Sequence, residues 1–286
     1  MANKVAIITD SIACLTGEMV EQYGIRIVPL NFYCGGKLYR DWADITPSQA
    51  YELFLNDPES FKTSPASPGD YLEAYREASK QTRDILCVTL SAKLSAIYDV
   101  ACMAKNQAKT ELPQTSIEVL DSQTATAAEG FIALAAARAA STGKSLAEVV
   151  KATEEIRDRV SLIAVMDTVR YVYRSGRIPK IAARAGSMLN IRPIFTISSG
   201  VVHTVGIVRN KERGITRLLK IIRGKVGQSP IHMAVMHAYA LDEAEKLKEQ
   251  VLSEFNCQEI WLTEFSPIMG YACGTGTLGV AFYKDD

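Results

Sequence analysis

The chain has 286 residues, 48% of them hydrophobic and 22% charged, with 32 Lys and Arg against 32 Asp and Glu. That length buries a large core and suits two domains, while the charge balance excludes the electrostatic footprint of a nucleic-acid or anionic-membrane binder. Six cysteines are scattered without a C-x-x-C pair, which points to neither a zinc cage nor a disulfide framework.

The apolar run in the opening VAIITDS is too short for a signal-peptide core or a bilayer span, so the expectation is a cytoplasmic protein without stable membrane insertion. VAIITDS, IRIVPLNF, DILCVTL and SIEVLDS read as buried strands, and Ser67 to Gln81 and Ala125 to Ala140 carry helical spacing between and after them. Unbroken apolar runs alternating with helices predict an α/β fold whose N-terminal part is mainly a parallel sheet covered on both faces. Ligands of such sheets sit at the carboxyl edge of the strands, so the residues following each strand carry the interest.

Asp10 follows the first strand, where a phosphatase of the haloacid-dehalogenase type keeps its nucleophilic aspartate. Ile12 then stands where the second acid would protonate the leaving group. Asp10-Ser11 therefore reads as a helix N-cap. The alternative is an enzyme acting on a small phosphorylated or carboxylated substrate through Asp10 and the Ser/Thr loops. Those loops are Thr63-Ser64-Pro65-Ala66-Ser67, Ser91 to Tyr98, and Asp121 to Thr126. Each alone is a capping signal, but together at one sheet edge, beside helix N-termini, they offer uncharged donors to a carboxylate or phosphate. No G-x-S-x-G elbow marks a serine nucleophile, and only the distant His232 or His237 could act as its base.

SLAE at Ser145 is a capping box that opens a helix to Arg159, after which SLIAVMDT restarts the pattern. The expected domains are accordingly 1–159 and 160–286, both α/β. Asp167 to Lys180 gathers four basic side chains and two tyrosines, either a docking patch for an anion or partner or a solvated helix end. IRPIFTISSGVVHTVGIVR reads as a hairpin turning at Ser199-Gly200, PIHMAVMHA, EIWLTEFSP and GVAFY as strands, and Leu241 to Glu254 as a helix. His232 and His237 lie five apart on one strand, hence on opposite faces, which disfavours a shared metal. GYACGTGTLG holds a G-x-G-x-x-G at Gly274, Gly276 and Gly279. Only seven residues follow it, and they read as a strand, so the helix that a dinucleotide site requires has no room.

In this order the pieces resemble the DegV family of bacterial fatty-acid-binding proteins across essentially the whole chain. IITDS is similar to the family's opening T-D-S, Thr63 to Ser67 to its T-S-x-P-S, and Ser91 to Tyr98 to its S-S-G-L-S-G-T-Y. Val119 to Ser122 resembles V-x-D-S, Arg174-Ser175-Gly176-Arg177-Ile178 resembles K/R-G-G-R-I, and Leu189 to Ile194 resembles L-N-I-K-P-I. Gly270 to Gly276 is similar to the closing G-x-H-x-G-P-G, a glycine-held loop beside the lipid head group.

The resemblance implies two α/β domains with one long-chain fatty acid buried between them and its carboxylate held by hydroxyls. It implies a carrier without intrinsic catalysis or cofactor, whose bound acid is phosphorylated by a separate fatty acid kinase subunit for phospholipid synthesis. Thr63 carries over as the carboxylate ligand and Ser95 as its companion, with Ser64, Tyr271, Ala272 and Gly274 around them; Arg177 and Arg209 carry over as candidates for structure or kinase docking. The chain departs from the pattern at Ala272, which replaces the family histidine, at the displaced Pro65, and at Ala96 and Ser175, which replace glycines. Losing the imidazole removes one hydrogen bond to a charged group, worth about 1.5–3 kcal/mol. The apolar chain, at about 0.8 kcal/mol per buried CH₂, still supplies most of the gross binding energy.

Overall fold

The first part of the chain runs β1 (Val5–Asp10), α1 (Gly17–Tyr23), β2 (Arg26–Val28), β3 (Asn31–Cys34), β4 (Lys37–Arg40), α2 (Pro47–Asn56), β5 (Lys62–Ser64), α3 (Pro68–Ser79), β6 (Asp84–Thr89), α4 (Ile97–Glu111) and β7 (Ser116–Asp121). Two helices follow, α5 (Ala127–Ser141) and α6 (Leu146–Arg159). The structure, a computed structural model, describes residues 5–167, 175–177 and 191–285. Strands β2, β1, β6 and β7 lie side by side in that order, all parallel. Val, Ile and Leu fill β1 and β6 without alternation because helices cover both faces, and all but the first or second residue of each strand is buried.

IRIVPLNF is not one strand. Pro29 has no N–H to give a ladder, and it separates β2 in the parallel sheet from β3, which joins an antiparallel sheet of order β4-β3-β5. This small sheet carries Thr63, paired with Phe32 on β3. Its inner face packs Phe32 against Phe61 and Tyr39, with ring centroids 4.8 and 5.2 Å apart. Ser67 then caps α3 in a capping box with Asp70, and Pro68 occupies the first helical turn, so the chain turns from strand to helix within four residues.

The second part comprises β8 (Ser161–Val165), β9 (Arg192–Ser198), β10 (Val201–Val208), α7 (Lys211–Val226), β11 (Ile231–His237), α8 (Leu241–Glu254), β12 (Cys257–Glu264), α9 (Pro267–Cys273) and β13 (Leu278–Lys284). Its sheet has the order β10-β9-β8-β13-β11-β12 and is antiparallel throughout except for the β11–β12 pair. The β9–β10 hairpin turns where expected, with φ of 48° at Ser199 and 79° at Gly200, the positive pair a tight two-residue turn needs. Both turn residues are gripped from the first part of the chain: Ser91 Oγ donates to the Gly200 carbonyl at 2.9 Å and Lys93 Nζ to the Ser199 carbonyl at 2.9 Å.

Helix α5 holds the two large sheets together. Its AAEGFIALAAARAAS is buried on almost every side, including Glu129, and it packs on β1 and β6 of one sheet and on β11 and β13 of the other. Small side chains permit that double approach. At Gly130 even a Cβ would come within 2.4 Å of the Ala13 carbonyl oxygen. Phe131 provides the larger filling, with ring centroids 4.3 Å from Trp261 and 5.0 Å from Tyr283, and Arg138 pairs with Glu259 of β12 at 2.5 Å.

Candidate functional site

The carboxyl edge of the parallel sheet faces one side of the second sheet, and between them lies a cavity of about 1110 Å³ counted out to its open mouth. The period of two along a strand decides which side chains reach it. On β8, Leu162 and Ala164 line the cavity, followed by Met166, whereas Ile163 and Val165 turn to the opposite core under α7 and α8. On β9, Phe195 and Ile197 line it while Ile194 turns away. Ile12, Leu90, Leu94 and Ile97 close it from the first part of the chain, and Phe265, Ile268 and Met269 from the segment leading through α9.

Polar groups are few and grouped by origin. Thr63 and Ser64 reach the cavity from β5 and Ser95 from the loop before α4; all three are half-buried, and none of their hydroxyls bonds to a described residue. Thr196 and Thr277 also line the cavity, but Thr196 Oγ1 donates to the Leu162 carbonyl at 2.7 Å and Thr277 Oγ1 to the Cys273 carbonyl at 3.0 Å. Ser175, buried in the wall, accepts the Arg177 amide at 3.3 Å, which leaves Thr126. It is 1% exposed, its Oγ1 has no partner among the described residues, and its backbone sits at φ 59°, ψ −148° just before α5. Such a conformation costs a residue other than glycine on the order of 1–3 kcal/mol.

Of the residues singled out from sequence, Thr63, Ser64, Ser95, Tyr271, Ala272 and Arg177 all line this one cavity. Arg177 stands exposed at its rim, with Nε 3.5 Å from the Leu94 carbonyl and Nη1 2.5 Å from that of Ser175. Gly274 and Arg209 are not in the wall. Gly274, with φ 81°, ends α9 by donating to the Gly270 carbonyl, and Arg209 is an exposed residue whose carbonyl accepts from Arg192. Arg170, Arg174 and Lys180 of the basic cluster, and Ile178, Leu189 and Asn190 of the family blocks, lie outside the described residues.

The closing segment is a helical turn rather than the expected loop. Pro267 at its start and Ser266 as N-cap, accepting from the Ile268 amide, make α9 of residues through Cys273. Gly270 is required there by contact: a Cβ would lie 2.2 Å from the Tyr51 ring, whose hydroxyl donates to the Phe265 carbonyl. Of the G-x-G-x-x-G, Gly274 and Gly276 take positive φ (81° and 80°) in the exit from α9 and Gly279 lies within β13, the strand that follows where a dinucleotide helix would have been needed.

Asp10 lies behind the cavity wall, fully buried. Oδ1 accepts the Ile12 amide at 2.9 Å and Oδ2 the Leu90 amide at 3.0 Å, so it caps the turn and ties β1 to the end of β6. Burial pushes its carboxyl up to about 6 despite these donors. Glu129, beside it on α5, is driven well above the usual carboxylate range by burial and then by the charge of Asp10; Thr9 donates to its Oε1. Asp41, also raised to about 6 by burial, accepts from Ser266 at 2.6 Å and so anchors the start of α9. Neither His232 nor His237, the two distant histidines that could have served a serine as base, lines the cavity. His232 lies between Glu259 and Asp285 against the Tyr283 ring, and buried His237 accepts from the Ala240 amide, with its pKa lowered to about 4 by burial.

Comparison with known proteins gives a consistent match. The profile of the family described as "uncharacterised protein, DegV family" spans residues 4–285. A DegV domain-containing protein of Clostridium perfringens is 31% identical over 283 residues, covering 98% of this chain and 99% of the relative. A Thermus thermophilus structure, described as the fatty acid binding of a DegV family protein, has a TM-score of 0.89 at 28% identity, covering 99% of this chain and 100% of that one. The structure of DegV from Bacillus subtilis, described as a fatty acid binding protein, has a TM-score of 0.87 at 26% identity, with 100% of each chain covered. No helix among the described residues is long and apolar enough to cross a membrane.

Proposed function

The chain belongs to the DegV family, and from that premise we propose that it binds a long-chain fatty acid in the cavity and presents the carboxylate to a separate kinase. One observation carries the reading: three half-buried hydroxyls, Thr63, Ser64 and Ser95, without partners among the described residues, line a predominantly apolar cavity. A carboxylate is an acceptor-only group, and hydroxyl donors suit it without the desolvation that a paired lysine or arginine would need. The acyl chain then lies along Leu162, Ala164, Met166 and Phe195, removed from water over its length. The relatives from Thermus thermophilus and Bacillus subtilis, described as fatty acid binders, support the same assignment.

Phosphorylation of the carboxylate to an acyl-phosphate is the task we assign to the partner. Among the described residues the cavity wall contains no carboxylate or histidine to act as general acid or base, and Asp10 is committed to two backbone amides behind it. Arg177, exposed at the rim, is our candidate for docking the kinase, and Arg209 a second, more distant one. Native mass spectrometry of the purified protein should show a co-purifying acid of fatty-acid mass. The delipidated chain should bind octadecanoic acid in a calorimeter and form acyl-phosphate only when a fatty acid kinase subunit and Mg-ATP are added. Absence of acid binding would refute the assignment, and turnover by this chain alone would refute the carrier role.

A further inference from the structure

Thr126 combines features that the fold itself does not use. Its backbone occupies a glycine-like conformation, its side chain is 1% exposed, and Oγ1 has no partner among the described residues although the residue lies in the cavity wall. The other buried hydroxyls of the described cavity wall are engaged: that of Thr277 donates to the Cys273 carbonyl and that of Ser175 accepts the Arg177 amide. Thr126 also stands at the N-terminus of the fifteen-residue α5, where amide groups and the helix dipole favour an oxygen lone pair. Its hydroxyl makes no cap bond to that helix. A buried donor without a partner is retained at a cost unless a ligand satisfies it.

We propose that Thr126 recognises a second oxygen on the acyl chain, so that the cavity is suited to a hydroxylated fatty acid as well as a plain one. This rests on the fatty-acid reading above. A chain hydroxyl both donates and accepts, as does Thr126 Oγ1, so the two satisfy one another where the helix terminus adds favourable potential. Elsewhere along an apolar wall the same chain hydroxyl would lose its water partners and gain nothing.

The prediction is a positional profile. Delipidated protein is titrated with octadecanoic acid and with octadecanoic acids bearing a hydroxyl at successive mid-chain carbons. At one position the hydroxy acid should bind at least as tightly as the plain acid, while at the others it should bind about tenfold more weakly. Thr126→Val, which keeps the shape, should weaken the favoured hydroxy acid about tenfold and leave the plain acid within a factor of two; Thr126→Ser should restore the preference. A uniformly weaker series in the native chain overturns the inference without any variant having to fold. An unchanged profile in Thr126→Val overturns it too. Equal weakening of plain and hydroxylated acids would place the carboxylate itself at Thr126 and overturn it as well. Failure of the native chain to bind any of the acids would instead remove the fatty-acid reading on which it stands.

Discussion

The two sides of the cavity differ in how their polar groups are engaged. The first part of the chain presents hydroxyls at Thr63, Ser64, Ser95 and Thr126 that bond to no described residue, whereas the second presents Thr196 and Thr277 with hydroxyls already donated to backbone carbonyls. The cause is architectural. Ser95 and Thr126 lie in loops that leave the carboxyl edge of the parallel sheet, and Thr63 and Ser64 end β5 just before α3; Ser and Thr collect where strand gives way to helix, and a hydroxyl there stays open unless it caps. An antiparallel sheet face offers alternate side chains of continuous strands, here Leu162, Ala164, Phe195 and Ile197, while Thr196 between them bonds the Leu162 carbonyl of the neighbouring strand and Thr277, just before β13, bonds back to α9. One side thereby leaves hydroxyls open to a ligand's oxygens and the other presents hydrocarbon.

The division is most severely tested on the hydrocarbon side. Ala164→Phe should place a ring in the path of the chain and exclude about four methylenes, weakening long-chain acids by at least about a hundredfold at about 0.8 kcal/mol per CH₂. Short acids should suffer much less, and calorimetry across chain lengths would show it; a uniform loss would mean the chain runs elsewhere. Thr63→Val comes next. Deleting its hydroxyl should weaken the acid roughly ten- to hundredfold, from a charge-assisted bond worth about 1.5–3 kcal/mol, and a fatty alcohol of equal length by less. Equal affinity of variant and native chain for the acid would move the head group to Ser95 or Tyr271.

Asp10→Asn sharpens the contrast between wall and support. An amide nitrogen would meet one of the two backbone N–H groups that Asp10 now accepts, and we expect a loss of about 1–3 kcal/mol in stability with acid affinity unchanged. The pH dependence has a definite sign. The folded pKa of Asp10 is about 6 against an ordinary 3.8, so the folded chain holds the extra proton between those values. Its contribution is present in full below about pH 4 and is lost as pH rises through about 6. Asp41 adds a slope of the same sign. Denaturant titrations from pH 4 to 7 should therefore show a flatter profile in Asp10→Asn. The smallest expected effect belongs to Thr196→Val, whose hydroxyl is bonded to Leu162: acid affinity within about a factor of two, with stability lower by about 1 kcal/mol.

Much of this was legible in the sequence, and the gaps have physical reasons. The hydroxyl clusters after the strands announced the polar side, and the apolar runs announced the parallel sheet, because burial on both faces removes alternation. For the same reason β8 and β9 could be recognised as strands while their cavity faces could not, since Ile163 and Val165 are as apolar as the Leu162 and Ala164 that line the site. The β4-β3-β5 sheet was hidden because KLYR and KTS are short, polar and partly exposed. Thr126 read as an ordinary cap; its positive φ comes from the way β7 must turn into a helix wedged between two sheets, a tertiary demand that no local pattern records.

That wedged helix also governs how the molecule comes apart. The cluster around α5 joins Val5, Leu86 and Leu120 from one sheet to Ala234, Met236 and Ala281 from the other in a single apolar body. Loss of either sheet would bare one side of a helix that has almost no polar face, leaving it with nothing to offer water. Unfolding should therefore proceed as one cooperative transition rather than as separate melting of two halves. A fatty acid bound between the sheets would then raise the melting temperature of the entire chain, so thermal shift alone can rank ligands.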